Sequence, residues 1–274
     1  MTPREEVRAI AARLRFEGER VLWDGKEVRG EPADTPFARL PPALARAAGR
    51  LYASVGARQD EGRGAYQHVP DVHLRTAFVA ALARVVPEGV ALRRDASRGW
   101  AYLLAGPPPE EGSIRVYWSL CAAGGAPFTR HLPRELISAG VPFQAKLMDD
   151  PQAFRRADSA VCYLPPGAWD AARPALERAH AHLLPWLRPA TPLFALRLAP
   201  GVAVAEDPGG EDSFGTHRAA LLAEGLWDAR EGGDPVLAVE ARFRAAGLDL
   251  DAPHRGPGSR AEYPFLAARW EVPA

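Results

Sequence analysis

The spacing of apolar residues predicts helices in the first third of the chain and shorter elements after it. In residues 3–16, Val7, Ile10 and Leu14 recur at helical spacing, which is typical of an amphipathic helix. Residues 19–30 carry Asp-Gly at their centre and have the composition of a β-hairpin. The same periodicity predicts two further helices, at about residues 37–53 and 71–86.

After residue 97 the pattern changes to short apolar or alternating runs bounded by Gly and Pro, which indicates strands. GWAYLLAG and SIRVYWSL are predicted to pair across PPPEEG. Further strands are predicted in VPFQAKL, SAVCYL and on both sides of Pro200-Gly201, and further helices at 129–140, 167–184, 213–227 and 235–246.

Strands and helices intermix without a regular βαβ order, and we therefore predict the α+β class, with a mixed, mainly antiparallel sheet flanked by helices. The predicted organisation is a mostly helical region with a small hairpin over residues 1–97 and an α+β catalytic region over residues 98–274, packed as one compact unit.

Composition excludes several classes of protein. The 34 basic and 34 acidic residues give a formal net charge of zero, which argues against a protein that coats nucleic acid. No run of about 18 apolar residues is present to span a bilayer, and the N-terminus lacks a secretion-type signal. The two cysteines stand far apart in contexts that fit neither a disulfide scaffold nor a zinc site. We expect a cytoplasmic protein that binds neither nucleic acid nor membrane.

Common catalytic motifs are missing from the sequence. There is no G-x-x-x-x-G-K-[ST], no G-x-G-x-x-G after a strand, no H-R-D or D-F-G of a kinase and no H-E-x-x-H. Ser213 supplies only half of a hydrolase elbow, because the preceding Gly is absent. We expect no metal and no organic cofactor.

Lysine is scarce in a chain rich in basic residues. Of 34 basic side chains, 32 are Arg, and the two lysines are Lys26 and Lys146. Lys can lose a proton at accessible pH, whereas Arg cannot. Lys26 lies in the predicted hairpin turn, where a solvated surface charge is expected. Lys146 follows a strand-like run, where a surface lysine and a functional amine are equally plausible.

The helix predicted at 213–227 begins with an unusual first turn. Ser213 is a good N-cap, but His217 and Arg218 place potential cations at a helix end that repels them. A helix N-terminus offers unpaired N–H groups to an anion, and Arg218 can grip two phosphate oxygens. The alternative is that His217 and Arg218 pair with the four acids that precede the helix, Glu206, Asp207, Glu211 and Asp212.

Other cations can complete a phosphate site. Arg155 and Arg156 come directly before a predicted strand, and Arg130 lies near a helix start. Asp158 can orient one of these arginines. Any single arginine among 32 is more simply explained as a surface residue. A phosphate site that combines the arginine pair with Lys146 and His217 is a more specific prediction than any of these residues alone.

Three segments resemble a known family: RVYWSL, VPFQAKLMDDPQAFRRADSAVCYLP and AEDPGGEDSFGTHRAALLAEGL. They resemble the HopA-type effectors that plant pathogens secrete through type III systems. The resemblance spans about residues 98–246, and P-F-x-x-K and S-F-G-x-H-R are its most distinctive parts. Bacterial relatives occur in gene clusters for ribosomally made, modified peptides, including class V lanthipeptides and thioamide-containing peptides.

The resemblance implies a phosphoserine/phosphothreonine lyase that works beside a kinase-like partner on a phosphorylated precursor peptide with a leader. By similarity to phosphothreonine lyases, Lys146 is the expected base and His217 the expected acid, and nearby arginines lower the pKa of Lys146. Arg218 with Arg155, Arg156 and Arg130 is expected to hold the phosphate, and the Ser213 turn to receive it. Tyr163 is either a hydrogen-bond donor to the substrate or a plain core residue.

Two other functions fit the same residues. The chain can be a noncatalytic partner of a kinase-like enzyme that binds a phosphopeptide or a leader, in which case Lys146 and His217 are not required. It can also be an effector-like protein-interaction module. A phosphopeptide bound without elimination would favour the binding partner over the lyase.

Overall fold

A computed structural model describes residues 1–29, 36–55, 71–108, 112–210 and 212–267. Its α-helices are α1 (Pro3–Ala11), α2 (Pro42–Val55), α3 (Val72–Ala83), α4 (Gly125–Ser138), α5 (Trp169–Leu183), α6 (Phe214–Asp228) and α7 (Pro235–Ala245). Its strands are β1 (Leu14–Glu17), β2 (Arg20–Trp23), β3 (Lys26–Glu27), β4 (Ala91–Asp95), β5 (Trp100–Ala105), β6 (Ile114–Trp118), β7 (Phe143–Met148), β8 (Ala160–Leu164), β9 (Leu196–Ala199) and β10 (Val202–Glu206).

The strands form two antiparallel sheets. One has three strands in the order β1-β2-β3, and the other has seven in the order β4-β5-β7-β8-β6-β10-β9. The predicted α+β class with a mainly antiparallel sheet is confirmed. β4 was not predicted from the sequence, because two of its five residues are consecutive arginines.

The chain divides into two compact units, and each is built from two segments of the sequence. The first contains Met1–Gly56 and Glu206–Ala261, and the second contains Ala57–Ala205 and Glu262–Ala274. This division differs from the predicted boundary after residue 97. A boundary inferred from composition follows the chain, whereas these units depend on contacts between distant segments.

In the first unit, helices α1, α2, α6 and α7 pack beside the three-stranded sheet. Helix α1 begins with a capping box, in which Thr2 and Glu5 satisfy each other's backbone N–H groups. It ends at Ala11, and the prediction of one helix over residues 3–16 is wrong for its last part. Leu14–Glu17 instead pairs with β2, where Leu14 is buried opposite Trp23.

The predicted hairpin turn at Asp24-Gly25 is confirmed. Asp24 has φ of 51° and Gly25 has φ of 75°, the left-handed pair that a two-residue β-turn requires between β2 and β3.

In the second unit, α4 and α5 cover one face of the seven-stranded sheet. Ala101 and Leu103 of β5 and Ala145 and Leu147 of β7 are fully buried at alternating positions. They share a hydrophobic core with Phe128, Leu132 and Leu136 of α4 and Leu176, Ala179 and Leu183 of α5. The side chains at the intervening positions of β5 and β7 belong to the opposite face, because strand side chains alternate. We call this opposite face the polar face.

The predicted pairing of β5 with β6 is wrong. β5 lies between β4 and β7, and β6 lies between β8 and β10. Two later strands are inserted between the pair, so the sequence-adjacent runs are separated in the sheet. Chain order therefore does not indicate which side chains of the polar face are neighbours.

Candidate functional site

Lys146 lies on the polar face of β7, between two aromatic side chains. Its direct partners across the ladder are Tyr102 of β5 and Val161 of β8, so Trp100 and Tyr163 are its diagonal neighbours. The Nζ atom is 4.4 Å from the centre of the Trp100 ring and 5.6 Å from that of Tyr163. Cation–π contacts at these distances stabilise the ammonium form.

Arg156 approaches the same tryptophan from the segment before β8. Its guanidinium carbon lies 5.7 Å from the centre of the Trp100 ring. Asp158 accepts from Arg156 Nε at 2.7 Å and from Nη2 at 2.6 Å, a two-point contact that orients the guanidinium. The structure therefore connects Lys146, Tyr163, Arg156 and Asp158 through Trp100.

Two members of this cluster were missed in the sequence. Trp100 contacts both Lys146 and Arg156, and the guanidinium carbon of Arg115 on β6 is 5.4 Å from the centre of the Tyr163 ring. Arg115 is the direct ladder partner of Tyr163. Period-two alternation puts each of them on the face opposite the apolar core, and this pattern can be recognised in the sequence. The strand order that makes them neighbours cannot be recognised there.

We define the sheet cluster as Trp100, Arg115, Lys146, Arg156, Asp158 and Tyr163. It combines cations with aromatic faces on one side of the sheet. Such a set of side chains can bind an anion, with Arg supplying forked donors and Lys a compact charge.

Two predicted phosphate ligands lie outside the sheet cluster. Arg130 is exposed on α4, which packs on the opposite face of the sheet from Lys146, so the structure does not bring it to the sheet cluster, and its role as a phosphate ligand stays a prediction. Arg155 is exposed, whereas its neighbour Arg156 is buried. Of this arginine pair, Arg156 alone contacts Trp100 among the described contacts.

The start of α6 lies in the first unit and has the predicted cap. Ser213 Oγ accepts from the backbone N–H of Thr216 at 3.2 Å and lies 2.8 Å from the Thr216 hydroxyl. Ser213 therefore satisfies a backbone donor of the first helical turn. The predicted anion site at this turn stays a prediction, and the Ser213 hydroxyl is already engaged in the cap.

Arg218 has a different environment from the one predicted. Its residue is 1% exposed, and the guanidinium donates from Nε to the Pro253 carbonyl at 2.9 Å and from Nη2 to the Arg255 carbonyl at 2.8 Å. The predicted phosphate grip by Arg218 is not supported by these contacts, because the fork binds backbone oxygens.

The acids that precede α6 bind groups of the first unit. The buried Glu206 accepts from Gly256 N–H at 2.6 Å and from the Ser259 hydroxyl at 2.7 Å. Asp207 accepts from Gly209 N–H at 3.0 Å, and Asp212 forms an ion pair with Arg39. Glu211 lies outside the described residues.

His217 is held as a neutral imidazole. Burial, and then the adjacent Arg218, lowers the pKa of His217, and Asp212 offsets part of this effect. Arg218 Nη1 lies 2.6 Å from His217 Nδ1. Because guanidinium can only donate, Nδ1 is the acceptor and the neutral ring carries its proton on Nε2. His217 can therefore offer an N–H donor, but a lowered pKa makes the imidazolium acid scarce at neutral pH.

A family comparison covers the elements just described. The sequence model of the HopA1 effector protein family matches residues 100–255, which is more than half of the 274 residues. The chain belongs to the HopA1 effector protein family. The matched range contains the whole sheet cluster and the His217–Arg218 pair, and begins at Trp100.

Solved structures of two effector proteins are similar to this chain. The effector protein from Pseudomonas syringae pv. tomato strain DC3000 is 17% identical with a TM-score of 0.50, over 76% of this chain and 95% of that one. The effector protein from Pseudomonas syringae pv. syringae strain 61 is 16% identical with a TM-score of 0.49, over 79% of this chain and 98% of that one. The first similarity indicates a shared fold. No curated protein matches the chain.

Two further features concern the described residues. None of their helices is both long enough and apolar enough to cross a membrane. No group of three or more His, Cys, Asp and Glu side chains within them is arranged to hold a metal ion.

Proposed function

We propose that this member of the HopA1 effector protein family is a phosphoserine/phosphothreonine lyase, and that Lys146 is its base. The proposal extends to a phosphorylated precursor peptide as substrate and to a kinase-like protein as the source of its phosphate. The observation that carries it is that Lys146 and the guanidinium of Arg156, which Asp158 orients, contact the same Trp100 ring, so that a candidate base and a phosphate-binding cation occur together.

The reaction is a β-elimination. Neutral Lys146 takes the proton from Cα, the electron pair of the Cα–H bond forms the Cα=Cβ double bond, and the Cβ–O bond breaks with its electrons leaving on phosphate. The products are dehydroalanine or dehydrobutyrine in the peptide and inorganic phosphate. Atoms and electrons balance without an oxidant, a metal or an organic cofactor.

Arg156 and Arg115 supply the charge that the leaving phosphate requires. Asp158 orients Arg156 through its two-point contact, so the guanidinium is fixed before substrate arrives. Arg115 lies over the Tyr163 ring and adds a second cation on the same face of the sheet. The elimination proposed here uses these cations and does not depend on His217 as an acid.

The protonation state of Lys146 decides between two functions. The rings of Trp100 and Tyr163 stabilise its ammonium form. A charged Lys146 binds phosphate but cannot take a proton. The cation–π contacts therefore favour a second candidate function, a phosphopeptide-binding module without turnover.

A phosphopeptide assay with matched lysine variants tests the proposal. The purified chain is incubated with phosphoserine and phosphothreonine peptides, and the peptide mass and free phosphate are measured. A lyase releases phosphate and leaves a peptide lighter by one phosphoric acid, whereas a phosphatase would leave the unmodified hydroxyl. Removal of a general base costs roughly 10²–10⁴-fold in rate, and Lys146→Arg is expected to lose activity by that factor.

Lys26→Arg is the matched control, because Lys26 is the other lysine of the chain and lies exposed on β3. It is expected to keep full activity. Phosphopeptide binding without elimination, with affinity retained by Lys146→Arg, would establish the binding module instead. Full elimination activity in Lys146→Arg would contradict the assignment of the base.

A further inference from the structure

Helix α3 of the second unit exposes several apolar side chains in addition to those of its buried stripe. Arg75, Phe78, Val79 and Leu82 form the inward stripe at helical spacing and are half-buried or buried. The exposed residues of the helix include Val72 at 67% exposure and Leu74 at 41%, the alanines Ala77, Ala80 and Ala81, and the polar residues His73 and Thr76. A surface helix normally carries polar residues on its solvent side. The exposed side of α3 is therefore unusual in its apolar residues.

The exposed side of α3 borders an apolar groove of about 360 Å³. We call it the α3–α4 groove, and its lining includes Leu74, Phe78, Ala81, Ala123, Ala126 and Pro151. The small alanine side chains leave room for large apolar groups to enter.

The groove is preformed because both of its walls are fixed. Arg75 of α3 donates to the fully buried Asp149 at 2.8 and 2.6 Å, which ties the helix to the end of β7. A Cβ on Gly125 would lie 2.7 Å from the Phe78 ring, so the start of α4 touches α3 only because residue 125 is glycine. A rigid groove loses little entropy when it is occupied.

The charges that continue the groove beyond Ala81 and Ala126 are basic, whereas Asp71 lies at its Leu74 end. On α4, Arg130 follows Ala126 by four residues and Arg134 follows Arg130 by four, so the three lie on one helix face, and both arginines are exposed. On α3, the exposed Arg84 follows the lining residue Ala81 by three. A second copy of this chain would bring like charges to the interface, which is unfavourable. The occupant that fits carries carboxylates.

We propose that the α3–α4 groove binds an amphipathic helix of a partner protein or peptide, with a leucine-rich stripe in the groove and acidic residues toward Arg84, Arg130 and Arg134. This is the helix-in-groove mode, in which side chains at i, i+3, i+4 and i+7 anchor the ligand. The groove lies on the α4 side of the sheet, and the docking does not depend on the lyase activity of Lys146.

The test measures fluorescence anisotropy with a labelled synthetic helix of about 18 residues that has Leu at i, i+3, i+4 and i+7 and Glu at the flanking positions. The control peptide keeps the leucines and replaces each Glu with Lys. The acidic helix is expected to bind at least about tenfold more tightly than the basic one, a difference of about 1.4 kcal/mol. Equal binding of the two, or none by either, would overturn the proposal.

Two substitutions locate the binding. Leu74→Asp puts a charge at the groove edge near the α3 N-terminus, which tolerates an acid, and should weaken binding by about tenfold or more. Leu237→Asp is the control, because Leu237 is an exposed leucine of α7 in the first unit. Circular dichroism checks that both variants fold. Equal loss in both variants would show that the groove is not the binding surface.

Two other occupants are outcomes of the same experiment. Sedimentation velocity over a range of protein concentrations detects self-association of the chain. If the chain forms a dimer that Leu74→Asp converts to a monomer, the groove binds a second copy and not a partner helix, and the proposal is overturned. Flotation with phosphatidylcholine and phosphatidylserine vesicles detects a lipid surface. Vesicle binding that Leu74→Asp abolishes, with no binding of the acidic helix, would also overturn the proposal.

Discussion

The guanidinium of Arg218 lies 2.6 Å from Nδ1 of His217, and this contact fixes which ring nitrogen carries the proton. Arg218 is itself held by the carbonyls of Pro253 and Arg255. A buried arginine thus positions the histidine of the S-F-G-x-H-R segment, whereas the sequence suggested His217 as an acid and Arg218 as a phosphate ligand.

The first prediction concerns the tautomer of His217. The neutral ring should carry its proton on Nε2 at pH 7, because Arg218 can only donate to Nδ1. Nitrogen-15 chemical shifts of the imidazole, measured on the full chain, report the protonated nitrogen directly. A ring protonated on Nδ1 would contradict this contact. Arg218→Lys tests the cause. The lysine ammonium does not reproduce the position of Arg218 Nη1, so the contact with Nδ1 should be lost and both tautomers of His217 should be populated.

The second prediction concerns the buried carboxylate of Asp149. It accepts from Arg75 and from Arg94 Nε, the latter at 2.8 Å, and it is fully buried. Asp149→Asn removes the charge that balances both arginines and should lower the free energy of unfolding by about 3 kcal/mol. Urea unfolding followed by tryptophan fluorescence measures the change.

Arg98→Ala is the control for Asp149→Asn. Arg98 and Asp95 form an exposed ion pair with a nitrogen–oxygen distance of 3.8 Å. Its loss should change the free energy of unfolding by less than about 0.5 kcal/mol. Similar effects from both substitutions would show that the burial of Asp149 adds nothing to stability.

The third prediction concerns the packing of α6 against α7 in the first unit. A Cβ on Gly225 would lie 2.5 Å from the Val239 Cα and 2.8 Å from the Val239 backbone nitrogen. Backbone cannot move as a side chain can, and Gly225→Ala should lower the free energy of unfolding by about 2 kcal/mol despite the better helix propensity of Ala.

Gly49→Ala is the matched control within the same unit. Gly49 also lies in a helix, α2, but among the described residues its added Cβ would meet the Phe37 ring alone, at 3.9 Å. This variant should be neutral or gain up to about 1 kcal/mol from helix propensity. Equal destabilisation by the two substitutions would mean that the close approach of α6 and α7 is not what requires glycine.

The fourth prediction is a loss of stability in acid that depends on His254. Burial, and then Arg255, lowers the pKa of His254 from 6.5 to about 4. Between these values the unfolded chain binds a proton that the folded chain does not, so stability is present above pH 6.5 and falls as the pH drops toward 4. The pKa values of His217, His180 and His131 are lowered as well and act in the same direction.

The pH dependence of unfolding isolates the contribution of His254. In His254→Gln, the slope of the unfolding free energy between pH 4 and 6.5 should decrease by up to one proton, or about 1.4 kcal/mol per pH unit. His73→Gln changes an exposed histidine and should leave the slope unaltered. An unchanged slope in His254→Gln would show that this imidazole titrates normally in the folded state.

Local pattern in the sequence determined most of the secondary structure of this protein. Period-two alternation identified β5 through β8, helical spacing identified α2 to α7, and Asp24-Gly25 identified the hairpin turn. These features depend on residues within a few positions of one another. Alternation along the observed β7 and β8 places Lys146 and Tyr163 on the face opposite the core, whereas the sequence left open whether Tyr163 is a core residue and could not show that the two are diagonal neighbours.

Tertiary structure alone decided which charged residues meet. The order β5-β7-β8-β6 brings Trp100, Lys146, Tyr163 and Arg115 together and leaves Arg130 on the other side of the sheet. Pairing between distant strands depends on long-range contacts, which no local period records. The burial of Arg218 has the same cause, because its fork binds carbonyl oxygens 35 and 37 residues further along the chain. An arginine that binds phosphate and one that binds its own backbone have the same sequence signal.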